Sequence, residues 1–72
     1  ENDQARLIRK ALKRLPTNQS EVVVLKIWED MTFAEIASVL DESPNTVASR
    51  YRYALQKLDN YLRPVTHEDI NV

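Results

Sequence analysis

The chain has 72 residues, a formal net charge of −1 and no cysteine. This length suits one small domain, which buries only about 60% of the surface that its unfolded chain exposes. The lack of cysteine excludes disulfide bonds and thiolate metal ligands. No signal peptide is visible, and no apolar run approaches the roughly 20 residues that a membrane helix needs. Because the chain opens on Glu1 and not on methionine, we expect it to be part of a longer protein.

The charges are unevenly distributed along the chain. Residues 1–14 carry five basic and two acidic side chains, whereas residues 15–42 carry one basic and six acidic side chains. Residues 43–63 carry four basic side chains and one acid, and residues 64–72 carry two acids. A local basic patch matters more than the total charge for attraction to phosphate. The two basic segments are therefore the candidates for contact with nucleic acid.

The composition favours an all-α fold. Glycine is absent, and the one β-branched cluster is Val22-Val23-Val24. These valines could form a short strand, but the chain contains no partner strand, so we predict a helix there.

Two helices are predicted in the first half of the chain. Helix one spans residues 3–14, with Asp3 as its cap. Helix two begins after Thr17 or Asn18 and runs to about Trp28. Because it is apolar nearly all round, we expect it to be central and packed on several sides.

Residues 31–58 predict two further helices joined by a tight turn. Helix three runs from Phe33 to Leu40, and Thr32 and Glu35 form a capping box at its start. Its apolar residues share one face at helical spacing: Phe33, Ile36, Ala37 and Leu40.

Helix four begins at Pro44, with Ser43 as its cap. An apolar stripe lies along one face of this helix: Val47, Tyr51, Ala54, Leu55, Leu58 and Leu62. Only Asp41 and Glu42 separate it from helix three, so the two helices must cross and share a core. This is the pattern of a helix-turn-helix, whose second helix is offered to the DNA major groove.

The sequence thus predicts an all-α domain of four helices over residues 1–63, with a helix-turn-helix and no wing. After Leu62 the periodic pattern stops at Arg63-Pro64. We predict a flexible C-terminal tail over residues 64–72.

The side of helix four opposite the apolar stripe carries groups suited to DNA. At about 100° per residue, this side presents Asn45, Ser49, Arg52, Tyr53 and Gln56, flanked by Thr46, Arg50 and Lys57. Arginine pairs with guanine, asparagine or glutamine with adenine, and serine or threonine with either. The remaining basic side chains can bind phosphates. An ordinary solvated helix face is the alternative, but the absence of an acid before Asp59 favours DNA.

No catalytic, metal or cofactor motif is present. The single histidine, His67, lies near the end of the chain without a serine or cysteine partner. Adjacent acidic residues fall only in predicted links or in the tail, and no glycine-rich phosphate loop exists. We therefore predict a protein that is not an enzyme and that binds no metal and no cofactor.

The order and spacing of these motifs over about residues 8–62 resemble region 4 of the sigma-70 family, especially its extracytoplasmic-function members. The residues that match the opening of the family pattern are Leu12, Leu15-Pro16, Gln19 and Glu21-Val22. Those that match its first helix-turn-helix helix are Thr32-Phe33, Glu35-Ile36-Ala37 and Leu40. Those that match its recognition helix are Ser43, Thr46-Val47, Ser49-Arg50, Ala54 and Leu58.

The resemblance implies a monomeric, cytoplasmic domain that recognises the −35 element of double-stranded promoter DNA. It also implies docking on the β-subunit flap of RNA polymerase, no membrane contact and, in many such factors, an anti-sigma protein that covers the domain. The part that melts the −10 element is not in this chain. Two alternatives remain: a LuxR-like response-regulator output domain, and a protein-interaction module with little DNA binding of its own.

Three positions depart from the family pattern. Asp41 stands where glycine usually ends the helix, and aspartate tolerates the left-handed conformation of that position, though less well than glycine. Asn45 replaces a frequent glycine. Ala48 stands where a basic residue is common, which should reduce the salt slope of DNA binding by about one. Glu42 beside this surface adds repulsion. We therefore expect weak or polymerase-dependent DNA binding by the isolated domain.

Overall fold

A computed structural model describes the backbone of residues 2–71 and the side chains of residues 2–62. This part of the chain contains four α-helices and no strand: α1 (Asp3–Lys13), α2 (Thr17–Val23), α3 (Phe33–Leu40) and α4 (Pro44–Asn71). A π-helical turn over Val24–Trp28 continues α2. The predicted all-α, four-helix fold is confirmed. Within the described residues, no helix combines the length and apolarity needed to cross a membrane.

The core lies where α4 packs against α1, α2 and α3. One buried cluster consists of Val22, Ile36, Ala37 and Val47. A second consists of Leu15, Val23 and Ala54. Tyr51 packs against both clusters and so joins them, as expected for a residue of the apolar stripe. Burying a side chain such as Ile36, which is 0% exposed, contributes about 1.5–3 kcal/mol.

The cap of α1 is Asn2 and not Asp3, so that prediction was wrong. Asn2 Oδ1 accepts a hydrogen bond from the Ala5 N–H at 2.7 Å. Asp3 instead lies in the first turn and pairs with Arg6. Asparagine and aspartate cap about equally well, so residue type alone does not decide between neighbours.

The start of α2 also differs from the prediction. Thr17 is the first helical residue, and Pro16 occupies the cap position without any side-chain cap. The Pro16 carbonyl accepts hydrogen bonds from the Gln19 and Ser20 N–H groups at 2.9 and 3.0 Å. Neither Thr17 nor Asn18 acts as the cap, because Pro16 already has the φ of −54° and extended ψ of 145° from which the helix begins.

The π-helical turn exposes the second half of the predicted central helix. The Glu29 N–H donates to the Val24 carbonyl at 3.3 Å, five residues back. Val22 and Val23 are buried, but Val24, Ile27 and Trp28 are 39%, 51% and 57% exposed. The prediction of packing on several sides is therefore wrong for Val24, Ile27 and Trp28, whereas Leu25 still packs against the first buried cluster. The π-helical turn packs chiefly against α3, and α4 covers α2.

Both ends of α3 follow the predicted helix-end chemistry. Thr32 Oγ1 accepts the Glu35 N–H at 3.1 Å, and the Glu35 carboxylate accepts the Thr32 N–H at 2.8 Å. At the other end Asp41 adopts the left-handed conformation, with φ 56° and ψ 48°. The Glu42 N–H then donates to the Ala37 carbonyl at 2.9 Å, which completes a Schellman-type helix end.

Helix α4 starts as predicted. Pro44 is its first residue, and Ser43 Oγ accepts the Thr46 N–H at 3.1 Å. The Val47 N–H bonds to the Ser43 carbonyl at 3.1 Å, so the first turn is closed by regular helical bonding.

The other end of α4 extends beyond the prediction. The helix continues through Pro64 to Asn71, so a helix end near Leu62 was wrong. Proline removes one N–H donor, but its fixed φ near −65° is itself helical, so a helix can continue through it at a local cost. The division into a domain over residues 1–63 and a flexible tail over residues 64–72 remains a prediction, and residue 72 lies outside the described residues.

Replacing Asp41 by glycine should raise the free energy of unfolding by up to about 1 kcal/mol. The left-handed conformation costs a residue with a Cβ roughly 1–2 kcal/mol, and the greater freedom of unfolded glycine offsets part of the gain. Urea denaturation followed by far-UV circular dichroism measures the change. Ser38→Gly, inside α3, is the matched control and should lose about 0.5 kcal/mol, because serine is itself a weaker helix former than alanine. A destabilised Asp41→Gly would contradict the assigned strain.

The capping box predicts an acid-dependent loss of stability. Its Glu35 pKa lies below the ordinary 4.5, chiefly because the Thr32 backbone N–H bonds to the carboxylate, with a smaller contribution from the Thr32 side chain. Since the pKa is lower in the folded state, this stability is fully present above about pH 4.5 and is lost as the pH falls through the folded pKa.

Urea midpoints measured from neutral to acidic pH will test this dependence. Glu35→Gln should be less stable than the wild type at neutral pH, and the difference should shrink on acidification. Glu29→Gln, which removes a carboxylate from outside any capping box, is the control. A difference between Glu35→Gln and the wild type that stays constant with pH would contradict the assignment.

Candidate nucleic-acid interface

The buried side of α4 fixes which residues face solvent. Val47 and Ala54 are 0% exposed and point into the core. The exposed side chains on the opposite side include four of the predicted DNA-binding residues: Asn45, Arg52, Tyr53 and Gln56. Tyr53 is 54% exposed, so it points outward as expected. Leu55 is 40% exposed, which corrects its placement in the inward stripe. It lies one residue, and so about 100°, beyond the buried Ala54.

The predicted flanking residues Thr46, Arg50 and Lys57 are half-buried. Ser49 is half-buried too, which corrects its predicted place on the exposed side. Two of them are already bonded within the helix. Thr46 Oγ1 lies 2.9 Å from Ser43 Oγ, which donates to it. Ser49 Oγ accepts from Arg52 Nη2 at 3.3 Å. The bond to Ser49 holds the Arg52 guanidinium close to the α4 backbone, next to the exposed side of this helix.

Arg50 forms an ion pair that the sequence did not suggest. Its Nη2 donates to Glu42 Oε1 at 3.2 Å, and the two side chains are 24% and 35% exposed. We expected Glu42 only to repel DNA. The structure adds a second effect, because the Glu42 carboxylate is bonded to Arg50, which is one of the predicted DNA-binding residues. The pair spans eight residues across the turn, so helical spacing rules do not find it.

Aromatic packing sets the angle between α3 and α4. The Phe33 and Tyr51 rings meet edge to face, with centroids 5.4 Å apart and planes at 62°. Lys26 Nζ also lies over the Phe33 ring, 4.8 Å from its centroid. Such contacts add about 0.5–1.5 kcal/mol beyond the area that they bury. These contacts support α4 from its buried side.

A second exposed surface lies on the π-helical turn, outside α4. The exposed residues Val24, Ile27 and Trp28, here called the Trp28 patch, belong to the π-helical turn. An open groove of about 440 Å³ separates part of this patch from α1. The residues that line it are mostly apolar: Ala5, Ile8, Arg9, Leu12, Val24, Trp28 and Glu29. The sequence signal for this surface is an apolar run, interrupted only by Lys26, which predicted burial and not exposure.

Neither surface has the composition of a metal site. Among the described residues, no group of three or more histidine, cysteine or acidic side chains is placed to hold an ion. The His67 side chain lies outside the described residues. The exposed side of α4 and the Trp28 patch are therefore the two candidate binding surfaces.

Comparison with known proteins connects this geometry to a family. Residues 5–58 match the family described as sigma-70, region 4. The RNA polymerase sigma factor SigV of Bacillus subtilis (strain 168) is 33% identical over 64 residues, which cover 89% of this chain and 37% of that protein. The chain thus spans little more than a third of the length of this relative.

The matched segment contains the capping box of α3, the turn and the first four turns of α4. It therefore covers the whole helix-turn-helix and favours the sigma-factor interpretation over the LuxR-like alternative. The chain belongs to the sigma-70 region 4 family and is a DNA-binding domain of the sigma-factor type.

Proposed function

We propose that this domain recognises the −35 promoter element and thereby directs transcription initiation by RNA polymerase. The observation that carries the proposal is the exposed side of α4, which holds base-pairing and basic groups and no acid before Asp59. In a helix-turn-helix the second helix enters the major groove with its N-terminal part. The domain acts as a binding module in the cytoplasm and carries out no chemistry itself.

The exposed residues divide by the contacts that they suit. Asn45 and Gln56 can pair with adenine, and Arg52 can pair with guanine or with a phosphate. Tyr53 can contact a thymine methyl group with its ring. The half-buried residues Thr46, Ser49, Arg50 and Lys57 would bind phosphates at the edges of the groove.

The DNA affinity of the domain alone should be low. Ala48 provides no charge where the family commonly has one, and the net charge of the chain is −1. Binding to duplex DNA depends strongly on the number of phosphates neutralised. Polymerase would supply the remaining affinity by holding the domain near the promoter.

The Trp28 patch is the proposed docking surface for the polymerase β-subunit flap. Trp28 and Val24 flank the groove beside α1, and exposed aromatic residues beside apolar grooves are typical centres of protein interfaces. An anti-sigma protein that covered this patch would block polymerase. The domain would act as a monomer, with docking on the π-helical turn and DNA binding on α4.

A protein-interaction module that does not read DNA is the second candidate. Two observations favour it: the exposed Trp28 patch and the engagement of Arg50 by Glu42. The DNA experiment below separates the two functions.

Arg52→Ala should weaken binding to a selected duplex about tenfold, because one arginine contact to guanine is worth about 1–3 kcal/mol. The duplex is first obtained by selection from a randomised pool at low salt, followed by sequencing. Affinity is then measured by fluorescence anisotropy over a salt series. If Arg52 binds phosphate instead, the salt slope falls by about one.

Lys13→Ala is the matched comparison, because it removes one exposed positive charge from the other basic segment, on α1, while the proposal assigns the DNA contacts to α4. Its affinity should stay within about twofold of the wild type at moderate salt, where charges beyond roughly 10 Å are screened. If the selection enriched no sequence and Arg52→Ala and Lys13→Ala changed the DNA affinity equally, the domain would instead be assigned as a protein-interaction module.

Trp28→Ala should weaken binding of the domain to RNA polymerase core enzyme by about tenfold or more, as expected for a tryptophan at an interface centre. Its DNA affinity should not change. Biolayer interferometry with immobilised core enzyme measures the first, and anisotropy the second. Val39→Ala removes a 64% exposed apolar side chain from α3 and should have little effect on core binding. Equal losses in both variants would exclude the patch.

A further inference from the structure

We propose that Glu42 competes with DNA for Arg50, so that the Glu42–Arg50 ion pair must open before this guanidinium contacts the nucleic acid. The proposal rests on the DNA-binding function proposed above and extends it. Glu42, a turn residue outside the exposed side of α4, thereby controls one contact between the domain and DNA.

The geometry of the pair supports direct competition. Arg50 Nη2 lies 3.2 Å from Glu42 Oε1, within hydrogen-bonding distance as well as ion-pair distance. The arginine side chain is 24% exposed, so its guanidinium is partly withdrawn from solvent. A carboxylate and a DNA phosphate both use oxygen acceptors that suit the planar guanidinium. Glu42 therefore occupies donors that a phosphate would otherwise take.

The backbone holds the two partners in place. The Glu42 N–H donates to the Ala37 carbonyl at 2.9 Å, directly after the left-handed Asp41. Arg50 lies on α4 one turn after Val47, which is 0% exposed. Since both backbones are fixed by the helix end and the core, the pair loses only side-chain freedom when it forms. An exposed pair between flexible segments would not have this advantage.

Competition predicts that the carboxylates of Glu42 and of its neighbour Asp41 affect DNA binding differently. Asp41 carries the same charge on the same turn, and it therefore contributes the same long-range repulsion to a DNA backbone. Glu42 adds a local effect, because it neutralises Arg50. Removing Glu42 releases one cation, whereas removing the charge of Asp41 releases none.

The experiment compares Glu42→Gln with Asp41→Asn, each in the wild-type and the Arg50→Ala backgrounds. Both substitutions remove one negative charge and keep the side-chain shape, and asparagine tolerates the left-handed conformation of residue 41. Affinity for a fixed duplex is measured by anisotropy over a salt series. Far-UV circular dichroism and urea denaturation establish that each variant is folded. Arg50→Gln replaces Arg50→Ala if the alanine variant unfolds.

Glu42→Gln should raise DNA affinity roughly threefold to tenfold more than Asp41→Asn does, and should steepen the salt slope by about one, as expected for one added phosphate contact. In the Arg50→Ala background the two substitutions should have equal effects. Equal effects in the wild-type background would overturn the proposal, and so would an excess for Glu42→Gln that persists without Arg50.

The same measurements distinguish a domain that binds DNA without this competition from a domain that does not bind DNA. If the wild type binds DNA through Arg52 but Glu42→Gln behaves like Asp41→Asn, only the competition is excluded. If no variant, Glu42→Gln included, binds duplex DNA at low salt, both proposals are overturned.

Discussion

The position of the recognition helix depends on the left-handed turn at Asp41. A link of two or three residues can reverse the chain only if one of them leaves the helical region, and Asp41 does so at φ 56°. The Glu42 N–H then closes the end of α3 on Ala37. This geometry brings Val47 onto Ile36 in the buried cluster. The left-handed turn at Asp41 and the packing of Val47 with Ile36 support each other. Each would be lost without the other.

Helix α4 serves the core and the candidate binding surface at once. Its inner side contributes Val47 and Ala54, both 0% exposed, and its outer side offers Arg52 and Gln56 to solvent. Because the same backbone carries both sets, any rotation of α4 that opened the core would also move the outer side. Rigid support of this kind holds a binding surface in one geometry before its partner arrives. Arg50 lies at the boundary between the two sides.

The features that the sequence predicted well are local ones. The capping box of Thr32 and Glu35, the cap at Ser43 and the conformation of Asp41 each depend on a few neighbouring residues. The inner and outer sides of α4 follow from helical spacing, apart from Ser49 and Leu55 at their edges. The π-helical turn and the Glu42–Arg50 pair depend on contacts between elements, which spacing does not encode. The continuation of α4 through Pro64 shows the limit of local propensity rules.

The exposure of Trp28 has a consequence for spectroscopy. It is the single tryptophan of the chain, and 57% of its surface is open to solvent in the folded domain. Its emission should therefore change little when the core melts, because the indole is already largely hydrated. The same indole should shift its emission when a partner covers it. Intrinsic fluorescence of this domain would thus report on protein docking and be nearly blind to unfolding.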